Sequence, residues 1–66
     1  MTNDEKIAYC HQLVFNHFKG DRSKVQKWFN TRNPLLGRSM PANMIKNGRV
    51  DKLLGMIQNA LEGNRP

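Results

Sequence analysis

The sequence predicts an all-α protein, a compact bundle of about four short helices. Three observations support this. Apolar residues recur at the helical spacing of three and four in four separate segments. Glycine, proline and asparagine stand between these segments, where helices end. No segment alternates apolar and polar residues as a half-buried strand does. With 66 residues the chain has room for one domain, which we place at residues 1–63, followed by a flexible tail at 64–66.

The first helix is predicted by a start signal, an apolar stripe and a stop signal. Thr2 and Glu5 have the spacing of a capping box. The stripe that follows consists of Ile7, His11, Val14 and Phe18. Gly20 is expected to end the helix, because glycine readily adopts the left-handed conformation found there.

A second helix is expected directly afterwards, with Asp21 as its N-cap. Val25, Trp28 and Phe29 share one face of this helix, so we expect them to pack in the core. Pro34 disfavours helical geometry at the residue before it, so the chain should turn there.

Two more helices complete the predicted bundle. Ser39 is the expected cap of a short third helix that has Pro41 in its first turn and ends at Gly48. The fourth should run from residue 49 to 61 and end at Gly63. Its apolar face consists of Val50, Leu53, Leu54, Ile57 and Leu61.

The length and the net charge of the chain limit the functions that it can have. Ordering 66 residues costs on the order of 100 kcal/mol, which leaves a small core little surplus to build a deep pocket. We therefore expect a binding module that is not an enzyme and holds no cofactor. The net charge is +6, and residues 19–52 carry nine Lys and Arg against two Asp. This positive field favours an anionic partner and leaves weak, nonspecific nucleic-acid binding open.

No set of residues predicts catalysis or a metal site. Cys10 and His17 share a helical face, but no third group is placed to orient the histidine, so a buried thiol and a partly buried imidazole are expected. His11 and His17 lack the spacing of metal ligands. Ser23 and Ser39 stand at predicted helix starts, where capping is the expected role.

The sequence also bears on the compartment. Cys10 is the only cysteine, so no disulfide can form within the chain, and a reducing cytoplasm is expected. No apolar run approaches the roughly 18 residues of a membrane span. The polar, acidic start of the chain does not have the pattern of a signal peptide.

One ordered set of residues resembles a known family. Trp28 is followed by an Asn-Pro-x-Leu-Gly run and by a Ser-x-Pro helix start. Further on, Gly48 is followed by a Val-x-x-Leu-Leu-x-x-Ile run. The residues concerned are Asn33, Pro34, Leu36, Gly37, Ser39, Pro41, Val50, Leu53, Leu54 and Ile57. Over residues 14–63 this order resembles the toxin-binding domain of Xre/MbcA/ParS-type antitoxins.

The resemblance implies a small helical protein-binding domain. In this family the domain neutralises a RES-domain toxin, an enzyme that consumes NAD, by covering its active site. It usually follows a helix-turn-helix-like DNA-binding domain, whereas a single helix precedes the motif here. A stand-alone antitoxin therefore stays open beside a phage or plasmid protein that inhibits another host protein.

The expected partner contacts are polar residues in or beside loops, where guanidinium and ammonium groups would face an acidic or pyrophosphate-bearing site. They are Arg32, Asn33, Arg38, Lys46, Arg49 and, in the tail, Arg65. For each of these cations, the alternative that it is a solvated surface group stays open. Lys24 and Lys27 flank Trp28, which keeps nucleic-acid binding as an alternative.

A homodimer also stays open, because the sequence holds more apolar side chains than four short helices readily bury. The side chains in question are Phe15, Phe18, Met40, Met44 and Met56.

Overall fold

Four α-helices and one 3₁₀ turn follow each other along residues 1–61, the part of the chain that the computed structural model describes. The helices are α1 (Asn3–His17), α2 (Arg22–Phe29), α3 (Pro41–Lys46) and α4 (Val50–Ala60), and the 3₁₀ turn spans Pro34–Leu36. The bundle measures 29 × 26 × 24 Å. The predicted all-α bundle of four short helices is confirmed over these residues.

The core draws on all four helices and on the turn. α1 packs along α4, and α3 and the turn close over the same helix. The buried apolar side chains are Cys10, Val14, Phe29, Leu36, Met44, Val50, Leu53 and Ile57. Trp28 and Leu54 pack against this cluster while half-buried. Core packing is therefore confirmed for Phe29, whereas Trp28 and Val25 pack against the core while half-buried.

The buried face of α1 differs from the predicted stripe. Cys10 and Val14, four residues apart, are fully buried, while Ile7 and Phe18 flank them half-buried. The inclusion of His11 in this face was wrong: it is exposed, and its ring stacks on Phe29 from outside. The expectation of a partly buried His17 was also wrong, since the side chain is exposed.

The start of α1 has the predicted capping box. The Thr2 hydroxyl accepts the backbone N–H of Glu5, and the Glu5 carboxylate accepts that of Thr2 at 2.7 Å. This second bond lowers the pKa of the Glu5 carboxyl. One turn later, the Lys6 ammonium pairs with the Asp51 carboxylate at 2.6 Å and so links α1 to α4.

The end of α1 lies one residue earlier than predicted. Lys19, with φ of 55°, occupies the left-handed position assigned to Gly20 in the sequence analysis, and Gly20 follows at 82°. The Lys19 N–H donates to Asn16 and the Gly20 N–H to Phe15, which is the bond pattern of a Schellman motif. A side chain with a Cβ atom therefore stands where the backbone favours glycine.

Lys19→Gly is expected to give a protein more stable than Lys19→Ala by about 1 kcal/mol, because only glycine enters the left-handed region without a steric cost. Both variants lose the lysine charge, so their difference isolates the backbone conformation. Thermal unfolding followed by circular dichroism would show the difference as about 4–8 °C in Tm. Equal Tm values for the two variants would contradict this account of the helix end.

The other helix ends divide between confirmed and corrected predictions. Asp21 caps α2, since its carboxylate accepts the Lys24 N–H at 3.2 Å. The capping role expected of Ser23 and Ser39 was wrong: Ser23 lies inside α2, and Met40 is the N-cap residue of α3, with no side-chain hydrogen bond. Pro41 begins α3, as predicted.

The turn after α3 and the bounds of α4 agree closely with the sequence. Gly48 has φ of 75°, and the Arg49 N–H donates to the Met44 carbonyl at 2.8 Å. α4 begins at Val50 and ends at Ala60, one residue inside the predicted range at each end. The predicted stop at Gly63 and the tail at 64–66 lie outside the described residues.

Cys10 is fully buried, as expected, and burial raises the pKa of its thiol above the ordinary 9.0. Above that pH the unfolded chain loses the thiol proton while the folded chain keeps it. Stability is therefore expected to fall as the pH rises past 9, by at most about 1.4 kcal/mol per pH unit. Urea denaturation between pH 7 and 10 would measure this. A Cys10→Ala variant with the same pH dependence would contradict it.

Within residues 1–61, the longest helix has 15 residues, and none combines the length and apolarity that crossing a bilayer needs.

Candidate functional site

The segment between α2 and α3 forms a closed corner held by its own backbone. The Asn33 N–H donates to the Ser39 carbonyl at 3.0 Å, and the Asn33 carbonyl accepts the N–H groups of Leu36 and Arg38. Pro34 starts the 3₁₀ turn, and Leu36 enters the core. The Asn-Pro-x-Leu-Gly run thus acts as a structural corner, which fixes the direction in which the neighbouring side chains leave the loop.

The corner holds two successive residues in the left-handed region. Gly37 has φ of 64° and Arg38 has φ of 65°. Glycine adopts this conformation freely, whereas an arginine does so at a cost of roughly 1–2 kcal/mol. The bonds from the Arg38 N–H to Asn33 and from the Ser39 N–H to Leu36, at 3.0 and 3.1 Å, hold the strained residue in place.

Three of the arginines predicted to contact a partner line one pocket beside this corner. Arg32 follows α2, Arg38 belongs to the corner, and Arg49 precedes α4. The cavity has a volume of about 250 Å³. Its remaining walls are Ser39, Met40, Asn43, Met44 and Asn47. We refer to these eight residues as the basic pocket.

The basic pocket is positive, and no acidic side chain of residues 1–61 lines it. Its lining consists of guanidinium, hydroxyl, amide and apolar groups. Over residues 1–61 the only ion pair joins Lys6 to Asp51, so no described carboxylate neutralises Arg32, Arg38 or Arg49. Like charges that share a concave surface raise the local potential and attract anions.

The other predicted partner residues take different places. Asn33 is half-buried and contributes its backbone to the corner. Lys46 is exposed on the last turn of α3 and does not line the pocket. Arg65 lies outside the described residues.

An apolar groove, which the sequence did not predict, lies between α1, α2 and α3. Its volume is about 450 Å³. The walls are His11, Phe15, Arg22, Val25, Gln26, Phe29, Asn30, Ala42 and Ile45. The His11 ring stacks on Phe29 with centroids 4.2 Å apart. Phe15, at 37% exposure, was the available signal, because it is among the apolar side chains that exceed what four short helices readily bury.

α3 separates the apolar groove from the basic pocket. Ala42 and Ile45 line the groove, while their neighbours Asn43 and Met44 line the pocket. This helix has only six residues, and the burial of Pro41 and Met44 fixes it to the core. One short element therefore sets the positions of both concave surfaces.

A shallower hollow lies beside the half-buried Trp28. Lys24, Lys27, Phe18 and Thr31 line it together with the indole. The two lysines are exposed, as the sequence predicts for the outer face of α2.

Among the apolar residues that left a homodimer open, Met44 is buried in the core and Phe15 is the most exposed. Phe18, Met40 and Met56 are half-buried.

Comparisons with models of protein families, with curated proteins and with solved structures gave no significant match. Over the described residues, no three His, Cys, Asp or Glu side chains come together as metal ligands. The candidate site is thus defined by its own chemistry, which is three guanidinium groups, without an ion-pair partner among residues 1–61, beside a hydrogen-bonded corner.

Proposed function

We propose that this protein is a noncatalytic binding module that inhibits a partner enzyme by direct contact, and that the partner is a RES-type toxin that consumes NAD. The observation that carries the proposal is the basic pocket, in which Arg32, Arg38 and Arg49 converge around one cavity. An enzyme that binds NAD accommodates a pyrophosphate and has its own polar groups at that site. Guanidinium groups pair well with phosphoryl oxygens and with carboxylates.

Two further observations support the proposal. The residues of the antitoxin-like motif have structural roles in and beside the corner: Leu36 and Pro41 are buried, and Gly37 adopts a positive φ. The apolar groove next to the pocket offers the kind of apolar centre with a polar rim that protein interfaces use.

The test is inhibition of a purified RES-domain enzyme encoded beside the gene for this protein. Increasing amounts of the protein should abolish NAD consumption at a stoichiometric ratio. The triple variant Arg32→Gln, Arg38→Gln, Arg49→Gln should weaken inhibition by about 100-fold or more, since each charged hydrogen bond contributes about tenfold or more.

The matched control removes the same charge elsewhere. Lys24→Gln, Lys27→Gln, Lys52→Gln alters three exposed cations that do not line the basic pocket. This variant should still inhibit within a few fold of the unaltered protein. Circular dichroism should show that both variants keep their helices. NAD consumption that continues in the presence of excess unaltered protein would refute the proposal.

A second candidate function is nucleic-acid binding, which the hollow around Trp28 favours. Lys24 and Lys27 flank the indole there, and a base stacked on an aromatic ring beside two cations is a common arrangement for single strands. This function predicts affinity for an oligonucleotide that falls steeply between about 50 and 200 mM salt. It also predicts that Trp28→Leu weakens that affinity. No binding at low salt would exclude it.

A further inference from the structure

The basic pocket has the composition of a site for a small polyanion. Three arginines reach it from three separate places in the chain: the end of α2, the corner and the turn before α4. All three arginines are exposed to solvent, and they line the same cavity. No described carboxylate offsets them, so a bound anion would relieve the repulsion.

We propose that the basic pocket binds a pyrophosphate group of a small molecule. The charges match, because a terminal diphosphate carries about three negative charges near neutral pH, about two on the outer phosphoryl group and one on the inner. A single carboxylate would leave two of the three guanidinium groups without an anionic partner. Arginine also suits phosphoryl oxygens geometrically, because its planar fork donates two parallel hydrogen bonds.

The neutral walls of the pocket fit the same ligand. Ser39, Asn43 and Asn47 bring a hydroxyl and two amides, which can donate to phosphoryl oxygens between the arginines. At about 250 Å³ the cavity is smaller than the 300–1,000 Å³ typical of sites that enclose a drug-sized ligand. It would therefore take the pyrophosphate and leave any attached nucleoside outside.

Backbone hydrogen bonds hold two of the arginines in place at the pocket. The Arg38 N–H is bonded to Asn33 and the Arg49 N–H to Met44, at 3.0 and 2.8 Å, so both residues have a fixed backbone. Arg38 also keeps a left-handed conformation that glycine would adopt at lower cost.

This inference extends the proposed function by naming a class of ligand. It rests on the proposed function only in placing that ligand at the basic pocket. Its test uses the isolated, ¹⁵N-labelled protein without any partner enzyme. Inorganic pyrophosphate, ADP and acetate are titrated separately at constant ionic strength, and the amide shifts are followed by NMR. Pyrophosphate and ADP should shift the amides of Arg38, Ser39 and Asn43, with acetate at least tenfold weaker.

Variants decide whether the guanidinium groups are responsible. Arg32→Gln and Arg49→Gln should each weaken pyrophosphate binding by about tenfold. Arg38→Gly should do the same although it suits the left-handed backbone, so a loss of binding there cannot come from strain or misfolding. Lys46→Gln, an equal change of charge on a side chain outside the pocket, should leave affinity within twofold.

The inference would be overturned by an absence of shifts with pyrophosphate, by shifts that map outside the basic pocket, or by equal weakening in Lys46→Gln. Binding of an oligonucleotide without binding of pyrophosphate or ADP would overturn it in favour of a nucleic-acid backbone. If ADP binds and free pyrophosphate does not, the nucleoside is the recognised part and the inference is wrong. Any of these results leaves the inhibition of a partner enzyme to be judged by its own assay.

Discussion

Phe29→Ala is expected to destabilise the protein by about 3–5 kcal/mol, the usual cost of removing a buried aromatic ring. Phe29 is 4% exposed at the end of α2, and its ring touches both the core and the apolar groove. It stacks on His11 at 4.2 Å and meets Trp28 edge-on at 5.1 Å. A chain of 66 residues has a total stability of about 3–10 kcal/mol, so this loss is about a third or more of the total.

Urea denaturation followed by circular dichroism at 222 nm would measure this loss. Phe29→Leu is the matched control, because it keeps most of the apolar volume and loses only the ring contacts. Its expected cost is below about 1.5 kcal/mol. If Phe29→Ala were as stable as Phe29→Leu, the ring would not contribute to the core in the way its burial indicates.

The second large effect is expected from Leu53→Ala, at about 2–5 kcal/mol. Leu53 is fully buried in α4, the helix on which α1, α3 and the 3₁₀ turn all pack. Its truncation leaves a cavity that several elements share, and the surrounding backbone can close such a cavity only in part. The free energy of unfolding from a urea titration, with the slope compared against that of the unaltered protein, tests this prediction.

Leu54→Ala provides the comparison at the next position of the same helix. Leu54 has the same chemistry and helix propensity, but it is half-buried at the edge of the core. Its truncation should cost less than half as much as that of Leu53, because water fills part of the space. Equal losses for the two leucines would mean that α4 does not present the face seen in this structure.

The sequence predicted the helices well because their signals are local. The capping box at Thr2, the Asp21 cap and the left-handed Gly48 each depend on residues within one turn. The apolar face of α4 was read correctly because a helix places residues three and four apart side by side. These features are encoded by residues that are close together in the sequence.

The errors occurred where two signals competed. His11 fits the apolar spacing of α1, but the neighbouring Cys10 takes the buried position and the imidazole covers Phe29 from outside. Ser39 has the side chain of a cap, yet its backbone pairs with Asn33 across the corner, so helix α3 begins after Met40. In the first case a contact between two helices outweighed the local preference, and in the second a backbone pairing within the loop did so.

The candidate site was predicted in composition and not in geometry. The sequence predicts partner contacts at Arg32, Arg38 and Arg49 because they are cations in or beside loops. Spacing along the chain does not show that they lie together. Lys46 was chosen for the same reason and lies elsewhere. The groove around Phe15 and His11 needed α2 and α3 in place before its walls existed.

By itself, the sequence determined that this protein is a small basic bundle of four helices, because caps, helix stops and apolar spacing act over a few residues. The tertiary structure alone decided where the positive charge gathers. The positive charge gathers there because the hydrogen-bonded corner at Asn33 and the burial of α3 bring three loops to one cavity. Convergence of this kind depends on the angles between packed elements, and no pattern along a single helix encodes those angles.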